Sequence, residues 1–97
     1  SLYFLVGSIA FAVIYAGTVA YAGNELKGFG NLILVRHNDG WITAYAHNDR
    51  LLVKKGQKVR RGEKIATVGA TGGVNSPQLH FEIRAGKKAV NPVAYLP

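Results

Sequence analysis

Three histidines and five carboxylates are the side chains of this 97-residue sequence with metal-binding or proton-transfer chemistry in reach. Two of them share the stretch Gln78-Leu79-His80-Phe81-Glu82-Ile83-Arg84. There Leu79, Phe81 and Ile83 alternate with His80, Glu82 and Arg84, a period of two that predicts a half-buried strand. One face goes to a core, and the other carries an imidazole, a carboxylate and a guanidinium in a row. A metal centre needs three or four ligands, and the candidates are His37, His47, His80, Asp39 and Asp49. His37-x-Asp39 flanks a tight turn, where Asp39 serves the turn better than a metal. Cysteine is absent, which removes thiolate chemistry and any disulfide framework. No serine sits on a nucleophile elbow. The glycine run over 69–73 has neither the lysine nor the following helix of a phosphate loop.

The elements that must position these groups are short. One domain of this length buries roughly 60–65% of its unfolded surface around a single core. Twelve glycines among many Val, Ile, Tyr and Phe predict short strands and tight turns, with no segment that reads as an amphipathic helix. Residues 1–23 carry no charge, so a membrane span is the first alternative to weigh. Gly7, Gly17 and Gly23 interrupt the run, and Val13-Ile14-Tyr15 and Thr18-Val19 favour strands. A secretory signal lacks its basic start, although Ala20-Tyr21-Ala22 resembles a cleavage site. Two buried strands with a turn near Ala16-Gly17 are therefore expected. Residues 1–8 are read as an extension, of which Ser1-Leu2-Tyr3-Phe4 resembles a protease-site linker of tag origin, and 9–97 as the domain.

Further on, Asn31–His37 reads as a buried strand, Asn38-Asp39-Gly40 as a turn, and Trp41–His47 as the antiparallel return. Asn48-Asp49-Arg50 opens a connection and Leu51-Leu52-Val53 is another short strand. Then comes a repeat. Val53-Lys54-Lys55-Gly56-Gln57-Lys58-Val59 is followed six residues later by Val59-Arg60-Arg61-Gly62-Glu63-Lys64-Ile65. Each unit turns one apolar residue inward and its cations outward at a glycine corner. The basic face so formed holds Lys54, Lys55, Lys58, Arg60, Arg61 and Lys64. The net charge of +7 and a pI near 10.0 favour acidic partners. Nucleic acid is not among those expected, because the aromatics form no interleaved binding strand.

Several motifs stand in one order: Gly17-Thr18-Val19-Ala20-Tyr21-Ala22-Gly23-Asn24, Gly28-Phe29-Gly30-Asn31, Arg36-His37-Asn38-Asp39-Gly40 and Tyr45-Ala46-His47-Asn48. Val53–Gly69, Thr71-Gly72, Leu79–Arg84 and Val90-Asn91-Pro92-Val93-Ala94-Tyr95-Leu96-Pro97 continue it. This series resembles the LytM, or lysostaphin-type, zinc peptidase domain of bacterial cell-wall enzymes over roughly residues 9–97. Within that family it is most similar to the NlpD-type murein hydrolase activators. The resemblance implies an all-β fold, an antiparallel half-barrel or sandwich, and a cell-envelope or periplasmic location.

It also implies a test at each catalytic position. Active members hold zinc with a His-x-x-x-Asp motif and the second His of a His-x-His strand. His80 matches that second histidine, but Gln78 replaces its companion, and His-x-x-x-Asp does not occur in the sequence. His47 matches a helper histidine beside the metal. Glutamine does not titrate and cannot serve as a general base. His47 and His80 are then relics of a dead active site, and neither zinc nor another cofactor is expected. The resemblance leaves a groove lined by Tyr45, His47, Asn48, Gln78, His80 and Glu82 as a partner-binding surface, with Tyr45 as its aromatic anchor.

The expected partner is a periplasmic N-acetylmuramoyl-L-alanine amidase or another peptidoglycan hydrolase, activated in cell division, or peptidoglycan itself. The basic face would steer the encounter. An active zinc endopeptidase with ligands outside this chain is the alternative, and Gln78 counts against it. A biotinyl or lipoyl carrier fits the glycine repeat but lacks a lysine at a hairpin tip with flanking methionines. The apolar N-terminus, without its family partner strand, is expected to pair with a second copy in a strand-swapped homodimer.

Overall fold

The computed structural model describes residues 2–4, 10–13, 15–26, 28–76, 78–85 and 88–90. These form nine strands: β1 (Leu2–Phe4), β2 (Ala10–Ala12), β3 (Gly17–Gly23), β4 (Asn31–Arg36), β5 (Trp41–Leu51), β6 (Lys58–Val59), β7 (Lys64–Val68), β8 (Leu79–Ala85) and β9 (Lys88–Val90). The only helical element among the described residues is one 3-10 turn at Asn38–Gly40. All pairings are antiparallel, in the order β1-β8-β5-β4-β3-β6, with β7 pairing β5 and β2, and β9 pairing β8. The antiparallel strands expected from the periodicity form, and they curl into the half-barrel that the resemblance implied.

β5 is the axis. Its first half lies between β4 and β8, and its second half pairs with β7 at Asn48 and Leu51. The expected connection at Asn48-Asp49-Arg50 is therefore strand. The expected strand Leu51-Leu52-Val53 is not, since β5 ends at Leu51. Val53 leaves the sheet but stays buried in the core.

Among the described residues the apolar N-terminus gives three strands rather than two, β1, β2 and β3. β1 pairs with β8 and β2 with β7 of the same chain. A bend at Tyr15 precedes β3, close to the expected turn. No helix among the described residues is long and apolar enough to cross a membrane.

The six-residue repeat has a structural counterpart. Gly56 N–H donates to Val19 O while Val19 N–H donates to Gln57 O; Gly62 N–H donates to Val13 O while Val13 N–H donates to Glu63 O. Two equivalent glycine turns, with φ of 88° and 84°, thus clamp two valines that are themselves six residues apart. Val53, Val59 and Ile65, the inward residue of each unit, join Val13 and Val19 in the main core with Ile33, Val35, Tyr45, Phe81 and Ile83. The other face of the sheet carries a smaller cluster of Leu32, Ala44 and Ala46, against which Tyr21, Phe29 and Leu34 pack.

Candidate functional site

His80 and Glu82 lie on that second face, because Leu79, Phe81 and Ile83 take the core side of β8. The register sets His80 opposite Ala46 and Glu82 opposite Ala44, and the two alanines leave room for them. The His80 Nε2–H donates to Glu82 Oε2 at 2.5 Å, and Arg84 Nη2 pairs with Glu82 Oε1 at 2.7 Å. Imidazole, carboxylate and guanidinium form one chain along the strand. Burial pushes the Glu82 carboxyl up, but the His80 hydrogen bond and the Arg84 charge outweigh it and hold Glu82 below its ordinary value.

A pH dependence follows. A carboxyl held low when folded contributes stability that is complete above its unfolded value, about 4.3, and is lost as pH falls through the lower folded value. Thermal melts at decreasing pH are expected to show the native chain losing stability through the acid limb, with that component missing in Glu82→Gln. Parallel curves for the two proteins would remove the argument.

His47 reaches the same site by a different route. Its φ is +66°, in the left-handed region, and the β5 pairings shift register on either side of it. Regular alternation would put His47 on the core face with Tyr45. The irregularity instead brings its ring to 6.1 Å from that of His80, edge to face. Its Nδ1–H donates to Thr71 O at 2.8 Å, and its backbone N–H donates to Phe29 O.

The wall around His47 is knitted from two loops. Thr71 Oγ1 accepts from Asn31 N–H and donates to Asn48 O. Asn48 Nδ2 donates to Asn31 O and Tyr45 O, and Asn31 Nδ2 donates to Asn48 O and Asp49 O. Gly73 N–H donates to Gly28 O. A Cβ on Gly72 would meet Gly30 N at 2.5 Å, so the two backbones approach where no side chain fits. This explains the residue types in Gly28-Phe29-Gly30-Asn31 and Thr71-Gly72. The roles of Asn31, Thr71 and Phe29 were missed in the sequence, where these motifs showed only as ordered matches.

Of the expected groove residues, His47, His80 and Glu82 cluster here, and Gln78 is half-buried just before β8 and joined by its backbone to Gly69. Asn48, fully buried, braces the wall from behind without lining the groove. Tyr45 does not line the groove. It is 1% exposed, packs at a tilt against Phe81 in the main core and accepts a hydrogen bond from Thr43 Oγ1. His37, a candidate ligand, is also elsewhere. Its Nδ1–H donates to Ala16 O, and its Nε2 pairs with Thr43 Oγ1, on the core side. It lies five β5 positions from the point opposite His80, about 17 Å along the strand. Asp39 sits in the 3-10 turn and Asp49 is exposed.

Among the described residues, no three of His, Cys, Asp and Glu gather as a metal site. Zinc takes nitrogen, thiolate or carboxylate ligands. One ring nitrogen each of His80 and His47 bonds Glu82 and Thr71, an arrangement that metal-binding imidazoles also use. These two histidines count as two ligands at most, and Gln78 supplies only an amide. These residues do not make up a zinc-binding set.

The curled antiparallel sheet and its histidine-bearing groove define a domain of the LytM, or lysostaphin, peptidase type. The catalytic domain of lysostaphin from Staphylococcus simulans superposes with a TM-score of 0.91 at 29% identity, over 96% of this chain and 74% of that one. Residues 7–92 match the Peptidase family M23 profile, and the chain belongs to that family.

The murein hydrolase activator NlpD of Escherichia coli is 58% identical over 81 residues, covering 84% of this chain and 21% of that protein. Lipoprotein NlpD of Yersinia enterocolitica is 56% identical over 81 residues, 84% of this chain and 82% of that sequence. The cell division protein DipM of Caulobacter vibrioides is 55% identical over 87 residues, 84% of this chain and 14% of that protein. The chain thus spans about a fifth or less of the E. coli and Caulobacter relatives.

Proposed function

We propose that this domain regulates peptidoglycan hydrolysis in the cell envelope without hydrolysing it, by binding and activating a hydrolase during cell division. The observation that carries this reading is a groove with its walls in place and its catalytic set incomplete. His47 and His80 face each other, but Gln78 stands where the family has the companion histidine of His80, and the sequence has no His-x-x-x-Asp to complete the ligands. Relatives named as a hydrolase activator, a division protein and a lipoprotein support the same role and location. An N-acetylmuramoyl-L-alanine amidase of the periplasm is the partner proposed, and the domain works without zinc.

Contact centres on the open face, where Phe29 and Gln78 are half-buried beside His47 and His80. Interfaces concentrate their energy in a few aromatic anchors with a polar surround. Phe29→Ala is therefore expected to weaken amidase binding by about 2 kcal/mol, roughly thirtyfold. Gln78→His is expected to leave binding nearly intact and to produce no cleavage of cross-linked peptidoglycan, because two further ligands are lacking. The assay is titration of purified amidase with each variant, reading amidase turnover, with melting temperature as a control on folding. Cleavage by the unmodified chain, or stoichiometric zinc on metal analysis, would return the endopeptidase reading. Normal activation by a fully folded Phe29→Ala would move the interface off this groove.

A further inference from the structure

The duplicated turns carry more charge than the fold needs. Each places two successive cations at its first two positions, Lys54-Lys55 and Arg60-Arg61, and one cation after it, Lys58 and Lys64. All six are exposed. The residue closing each turn reaches back to its own first N–H: Gln57 Oε1 accepts from Lys54 N–H, and Glu63 Oε1 accepts from Arg60 N–H. Gln57 Nε2 also donates to Glu63 Oε2, tying the two turns side by side at 3.4 Å. The one acid of the segment is thus committed to backbone and amide donors. Among the described residues none of the six cations forms an ion pair, since the only pairs are those of Glu82 with His80 and Arg84.

A seventh feature adjoins them. Leu52 is 50% exposed, and its N–H donates to Ile65 O, which sets it beside Lys64 and two residues before Lys54. An exposed leucine flanked by long, unpartnered cations matches a surface that rests on a bilayer, with the charges among the headgroups and the apolar side chain below them. An acidic protein partner would favour cations held in fixed geometry, as Arg84 is by Glu82. Here the backbone of the turns is fixed, and the side chains extend from it.

We infer that the paired turns 54–57 and 60–63, with Leu52, form a docking surface for a membrane rich in anionic phospholipid headgroups. The inference rests on the cell-envelope reading above for having such a membrane in reach. It gives the basic face a role separate from the groove: it sets where the domain sits, and the groove sets what it binds.

The test is co-sedimentation of the 97-residue chain with large unilamellar vesicles of phosphatidylcholine alone, or of phosphatidylcholine with phosphatidylglycerol. Each cation at an anionic surface is worth about fivefold in partitioning. The fourfold variant Lys54→Gln, Lys55→Gln, Arg60→Gln, Arg61→Gln is expected to lose on the order of several hundredfold on phosphatidylglycerol vesicles. Leu52→Ser should lose roughly fivefold. Raising ionic strength from about 0.15 M to about 1 M, which shortens the Debye length from about 8 Å to about 3 Å, should release the native chain. Equal binding to both vesicle types would overturn the inference, as would retention of the fourfold variant on phosphatidylglycerol. Lipid-free amidase activation separates the two readings. If the fourfold variant activates normally and binds vesicles poorly, both stand. If it binds vesicles normally but fails to activate, the basic face belongs to the protein partner and the membrane role is wrong.

Discussion

Tyr45→Ala is expected to unfold much of the domain rather than to remove a binding contact. Tyr45 is among the largest fully buried side chains, packed on Phe81 with ring centroids 5.3 Å apart. Truncating a buried aromatic costs about 3–5 kcal/mol, from lost transfer energy and the cavity left behind. A small domain has only about 5–15 kcal/mol of stability in total. For a chain of this size each kcal/mol moves the midpoint by about 4–8 °C, so a fall of more than about 12 °C is predicted. Tyr45→Phe keeps the ring and loses the hydroxyl that meets Thr43 Oγ1, a loss of about 1 kcal/mol. The check is denaturant or thermal unfolding of the three proteins. A Tyr45→Ala domain of native stability that fails only to bind the amidase would restore Tyr45 to the groove and contradict its burial.

Gly30→Ala is expected to be the second-largest effect, and it acts on the site. Gly30 has φ of +64°, and a Cβ there would fall inside van der Waals contact of the Thr71 carbonyl carbon and Oγ1 and 2.6 Å from Gly72 N. Left-handed backbone costs an alanine about 1–2 kcal/mol. Overpacking against backbone that cannot swing aside adds about 1–3 kcal/mol. Because Thr71 O accepts from His47 Nδ1, displacing that loop also displaces the groove wall. A loss of about 2–5 kcal/mol is predicted, together with lowered amidase activation. Gly28→Ala supplies the comparison: its φ is +91°, but nothing lies within 4 Å of its Cβ position, so only the backbone cost applies. Equal destabilisation by the two substitutions would show that the packing of loops 28–31 and 71–73 is not what holds the wall.

The first prediction turns on which face of β5 a residue occupies, and there the sequence was of unequal help. Alternation in Leu79–Arg84 was enough to put His80 and Glu82 on one face and Phe81 on the other, because a regular strand has a period of two. Turn chemistry made the hairpin at Asn38-Asp39-Gly40 legible, and the six-residue repeat located Val53, Val59 and Ile65 in the core. Ordered motifs carried the family. Gln78, and the lack of His-x-x-x-Asp, are facts of sequence, and with them goes the expectation that catalysis has been lost.

What required the folded chain is the position of each residue relative to a partner distant in sequence. Tyr45 and His47 are two apart, and a regular strand would send both to one face. The left-handed backbone at His47 breaks the alternation, which leaves Tyr45 in the core and brings His47 to His80. No glycine marks that irregularity, so nothing local announced it. It is maintained by contacts 18 and 24 residues away, with Phe29 O and Thr71 O. The apolar N-terminus poses the same problem. Its composition required burial, but only the sheet decided that β1 would pair with β8, β2 with β7, and that two glycine turns would hold Val13 and Val19. Local periodicity fixes which faces are apolar; the hydrogen-bond partners of a strand edge are set by chain closure over long separations, which no local pattern records.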